Sequence, residues 1–130
     1  MTAAVLDLVR KAALVNECEP NNLILPDESD LDAYIQALEW RRAIIERVAA
    51  FEELAAKEKE HVAKSQMLSH QLEHCEHWRE TEPWKVLEVE GKRDGALAAA
   101  RKCRMMIDQM ERETRAYHLK LKTMVDSQVT

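Results

Sequence analysis

The stretch Trp84–Met110, WKVLEVEGKRDGALAAARKCRMMIDQM, decides the fold. Its first twelve residues admit two local structures. Val86, Val89 and the paired glycines Gly91 and Gly95 suit a strand ending in an Arg-Asp-Gly turn. A helix through the same residues costs roughly 1 kcal/mol at each glycine. The wider spacing favours the helix. Val86, Val89, Arg93, Ala96, Ala100, Cys103, Ile107, Met110, Thr114, Tyr117, Leu121 and Met124 alternate three and four apart without a slip. Nearly all are apolar or small, and the alternation lasts five heptads. That is the pattern of a helix with a coiled-coil-like seam. Glycines four apart would let a facing helix approach closely.

Upstream, Thr81-Glu82-Pro83 reads as the start of this helix, because proline is tolerated in a first turn whose N–H groups are unpaired anyway. The helix is expected over residues 83–126. Before it, no proline or glycine occurs back to Ser29. Ser29-Asp30-Leu31-Asp32 resembles a capping box, with a hydroxyl and an early acid for the positive helix end. A helix over residues 29–80 would run roughly 78 Å at 1.5 Å per residue. A helix that long needs a partner along its length. Its expected seam is Ile44, Val48, Phe51, Ala55, Val62, Leu68, Leu72 and Cys75, interrupted by Glu58 and Ser65.

Two long helices with a short connection imply an antiparallel hairpin. Residue i should face roughly residue 163 − i if the chain reverses near Thr81–Glu82. Leu72 then lies over Gly91 and Leu68 over Gly95, large against small. Val48 comes near Arg115 and Tyr117, and Ile44 near Leu119 and Leu121. The alternative is one continuous helix kinked at Pro83 and paired only between chains.

Residues 1–17 read as a short helix, from Val5, Leu8, Val9, Ala12 and Val15. Residues 18–28 read as an extended linker broken by Pro20 and Pro26, with Leu25 held extended by the proline after it. Leu23, Ile24 and Leu25 are three adjacent apolar side chains in that linker. They dock either on the chain's own helices or on a partner. The fold class is thus all-α: a long antiparallel helical hairpin, coiled-coil-like, with a short N-terminal helix and an extended apolar linker, in a single helical domain over residues 1–130.

Composition agrees. Glycine numbers 2 and proline 3 in 130 residues, too few for the turns of a β or doubly wound fold. Residues 1–82 hold 9 Lys+Arg against 17 Asp+Glu, and residues 83–130 hold 10 against 7. Opposite-signed halves suit segments that lie together, and no basic excess marks a nucleic-acid binder. Three well-separated cysteines, Cys18, Cys75 and Cys103, do not make a disulfide framework and point to a reducing, cytoplasm-like setting. No signal peptide or membrane span is expected.

The densest chemistry is HQLEHCEHW, His70–Trp78. At about 100° per residue His70, His74 and His77 share one stripe, while Cys75, Leu72 and Leu68 turn to the opposite side. The cysteine is therefore not a ligand beside those histidines. The stripe reads as a solvated face, or as a candidate metal set or pH-sensitive interface completed by Glu73 or another chain. Glu58-x-x-His61 is a single copy of a motif that di-iron bundles need twice. Trp78 and Trp84 flank the expected turn, and Trp40 lies towards the far end beside Arg41 and Arg42. These three tryptophans, with Leu23, Ile24 and Leu25, are the candidate partner-binding residues, because buried tryptophan is favoured at interface centres. Met105, Met106 and Met110 read as core filler. Arg93, Arg101, Lys102, Arg104, Arg112 and Arg115, interleaved with Asp94, Asp108, Glu111 and Glu113, read as a solvated face of ion pairs.

No phosphate-binding glycine loop, nucleophile elbow or H-E-x-x-H motif is present. The expectation is a non-enzymatic structural or interaction protein without a resident cofactor. It would be a small helical subunit of a homo-oligomer or a larger protein assembly, viral or bacterial, acting in the cytoplasm or within a virion. The alternatives are an acidic regulatory binder or inhibitor of another protein and, behind it, a metal-responsive helical module.

Overall fold

A computed structural model describes residues 13–129. Among the described residues there are helices and no strands. Residues 13–17 are helical, and the Cys18 N–H closes on the Leu14 carbonyl at 3.0 Å. The rest of the expected first helix lies outside the described residues. Three further helices follow: α1, Leu31–Glu73; α2, Glu76–Thr81; and α3, Pro83–Val129.

The Trp84–Gly95 stretch is helical throughout, so the strand alternative is gone and helical periodicity outweighs both glycines. The helix starts at Pro83 as expected and runs three residues past the expected end. The start of α1 differs in one detail. Asp30, not Ser29, is its cap: the Asp30 Oδ1 accepts the Ala33 N–H at 3.2 Å, and its carbonyl accepts the Tyr34 N–H at 2.9 Å. Ser29 is used one step earlier, its N–H donating to Asp27 Oδ1 at 3.0 Å.

The expected helix over residues 29–80 is two helices. No proline or glycine marks the break. The end of α1 tightens instead, with the His74 N–H bonded three residues back to the Gln71 carbonyl at 3.2 Å. Cys75 leaves helical geometry (φ −106°, ψ 25°), and its thiol donates to the Leu72 carbonyl at 3.0 Å. Its own carbonyl then accepts the Trp78 N–H at 2.9 Å and opens α2.

The chain forms two compact units. One joins the described residues up to Phe51 to those from Asp108 onward; the other is Glu52–Ile107. In each, a length of α1 packs antiparallel on a length of α3. In the first, Arg47 Nε donates to Glu113 Oε2 at 2.9 Å. In the second, Arg104 Nη2 donates to Glu58 Oε1 at 2.7 Å. Within the first unit Ile44 shares a core with Leu121 and Arg47 meets Glu113, so the partner retreats along α3 as α1 advances, close to the register predicted for a hairpin. Pairing within the chain disposes of the continuous-helix alternative.

The core of the first unit is Leu14, Cys18, Leu23, Ala37, Ile44 and Leu121, with Leu25, Trp40, Val48, Tyr117 and Met124 packed on it. Ile44 and Leu121 thus share a core, as do Val48 and Tyr117. The linker is fastened at its far end by the Asp27 N–H, which donates to Gln128 Oε1 at 2.7 Å. In the second unit Leu68, Leu72, Cys75, Ala96, Ala100, Cys103 and Ile107 are buried.

Every one of the twelve positions read as the α3 seam is buried or half-buried. The α1 seam needs correction. Ala37, Trp40, Ile44, Arg47, Phe51, Leu54, Glu58, His61, Ser65, Leu68, Leu72 and Cys75 alternate three and four apart, and all are buried or half-buried. Val48 and Ala55 of the expected row are half-buried beside it, whereas Val62 is exposed and His61 takes its turn in the row. Glu58 and Ser65 are members of the seam rather than interruptions. The glycines are corrected as well. Gly91 and Gly95 are exposed, and a Cβ built on either meets nothing within 4 Å, so they serve no close helix approach.

Candidate functional site

Arg47, Glu58, Ser65 and Thr114 can occupy the seam because each is given a partner. Ser65 is buried and its hydroxyl donates to the Val62 carbonyl at 2.7 Å. Thr114, also buried, donates to the Met110 carbonyl at 2.7 Å. Bonding back to the helix's own carbonyls removes the cost of burying a bare hydroxyl. Arg47 is held three ways: to Glu113, to the Ala43 carbonyl at 3.1 Å, and over the Tyr117 ring at 4.8 Å. The Arg47 hydrogen bond, then one from Gln109, holds the Glu113 carboxyl below the ordinary glutamate range. These contacts pair charge inside the fold.

The cysteines are free and buried. Burial, helped by the Glu17 carboxylate and opposed by Arg115, pushes the Cys18 thiol up. A protonated, enclosed thiol is a core side chain and a poor nucleophile.

The six candidate partner-binding residues separate into two groups. Leu23 is buried, and Leu25 and Trp40 pack on the core of the first unit. Three adjacent apolar linker residues alternate in direction, so Ile24 between them is 71% exposed. Trp84 is 60% exposed, whereas Trp78 is half-buried with His77 stacked at a tilt and the Lys85 ammonium 5.9 Å from its ring. Ile35, Leu38 and Ile45, apolar positions that the sequence leaves outside the expected seam, form an exposed row on α1 together with Leu31. It lies roughly 80–160° around the helix from the seam residue Ala37. The signal was present as apolar residues left over once a seam was drawn.

The histidines also separate. His70, Glu73 and His74 gather at the end of α1, with ligand atoms all within 4.8 Å of one another. The two imidazoles meet edge to face at 4.6 Å, and His70 Nδ1 lies 4.0 Å from a Glu73 carboxylate oxygen. His77 belongs to α2 and lies outside this triplet, but it lines the same concavity as Glu73, His74, Glu76 and Glu80. Cys75 is buried beneath, hydrogen-bonded to its own helix, as the face argument required.

The chain matches no protein-family model, and neither a curated protein nor a solved structure matches it. No helix among the described residues is long and apolar enough to cross a membrane.

Proposed function

We propose that this chain is a non-enzymatic structural subunit that assembles with further copies of itself. The exposed row Leu31, Ile35, Leu38 and Ile45 carries this reading. Large apolar side chains in heptad-like sequence on a helix that already has a filled seam form a second contact stripe. A thin hairpin buries one stripe per helix, so a further contact offers it burial that the fold alone does not supply. Three enclosed cysteines without disulfides fit work in a reducing compartment.

Native mass spectrometry of the untagged chain tests the reading. The expected mass is an integer multiple of the 15.0 kDa chain. A monomer at all accessible concentrations would exclude self-assembly, and a monomer that binds a target would favour the regulatory-binder alternative.

A further inference from the structure

We infer that His70, Glu73 and His74 form a binding site for a divalent transition metal of the zinc class, independently of whether the chain self-assembles. Two imidazole nitrogens and a carboxylate oxygen are a donor set that favours zinc, nickel or copper over calcium or magnesium, which prefer all-oxygen shells. Spacing supplies the geometry. Positions i, i+3 and i+4 are neighbours on one helical face, so a single turn brings all three donors together.

The distances are close to a coordination shell. Donors around a tetrahedral zinc at about 2.0–2.1 Å lie roughly 3.3 Å apart. The donors here lie within 4.8 Å of one another. The remaining closure is a side-chain adjustment of about 1–2 Å, of a kind that exposed rotamers make on the ps–ns scale. Both His70 and Glu73 are free to make it, with side chains 73% and 72% exposed.

The surroundings favour a cation. The triplet sits in the last turn of a 43-residue helix, where the helix dipole presents its negative end. The concavity next to it is lined by Glu73, His74, Glu76, His77 and Glu80, all anionic or imidazole side chains. Three protein ligands leave a fourth position open to water, or to His77 if α2 shifts. Cys75 takes no part, because its thiol is buried and bonded to the Leu72 carbonyl.

The test is a titration of the full chain with zinc against a chromophoric chelator, beside the double variant His70→Gln/His74→Gln. Both histidines are exposed, so the variant should keep the far-ultraviolet circular dichroism of the wild type. The expected result is one zinc per chain, with affinity at least about tenfold weaker in the double variant. Cys75→Ser, or His118→Gln on the other long helix, should bind zinc like the wild type. No zinc uptake by the wild type, or uptake that survives the double variant, would overturn the site. So would loss of binding in Cys75→Ser with the double variant unaffected.

Discussion

Seam residues decide this molecule one side chain at a time. Ile44 is fully buried in the first unit's core. Ile44→Ala should cost about 2–5 kcal/mol by urea denaturation, from lost transfer energy plus the cavity left behind. Val62 provides the contrast. It is apolar and close to the row, yet it is exposed. Val62→Gln should change stability by less than about 0.5 kcal/mol; a loss as large as that of Ile44→Ala would mean the seam runs through Val62 and not His61. Glu113 gives a pH signature. Its carboxyl is held below the ordinary range by Arg47, so the folded state favours the charged form. That contribution is present above the unfolded glutamate range and is lost as pH falls through the lowered folded value. The side chains are only partly enclosed, 25% exposed for Arg47 and 35% for Glu113, so the effect should be at most about 1 kcal/mol. Urea midpoints measured above and below the glutamate range should differ less in Glu113→Gln than in the wild type.

Helices show which parts of the design are written locally. The α3 seam was legible because all twelve positions follow one alternation and only Arg93 and Thr114 are polar. On α1 four of the twelve, Arg47, Glu58, His61 and Ser65, are polar, so hydrophobicity alone shifted the expected row at Val62. For Arg47 and Glu58 membership depends on partners distant in sequence, Glu113 and Arg104. No local pattern carries that. The break at His74–Cys75 was equally silent, since neither residue is a helix breaker. The histidine stripe was half legible: periodicity gave the shared face and turned Cys75 away, but the break removed His77 and left Glu73 in its stead. Gly91 and Gly95 support a prediction at this scale. Both are exposed in helix interior, with open space where a Cβ would go. Gly91→Ala and Gly95→Ala should each stabilise by about 0.5–1 kcal/mol, read as a higher thermal midpoint. Destabilisation would show that a facing surface does occupy that space.

At the scale of the whole molecule, large apolar side chains stand outside the hairpin's own packing: the α1 row Leu31, Ile35, Leu38 and Ile45, and single exposed residues such as Ile24, Trp84, Leu87, Met105 and Leu119. Scattered exposed apolar residues are ordinary on any surface, but a row at helical spacing is not. Charge placed on the row should therefore separate assembly from folding. The most direct measurement is sedimentation equilibrium of the full chain in chelator, beside the double variant Ile35→Glu/Leu38→Glu. The expected result is a wild-type mass above that of one 15.0 kDa chain and a lower mass for the variant, with helical content unchanged. A wild type that stays monomeric, or a variant that assembles as the wild type does, would contradict it.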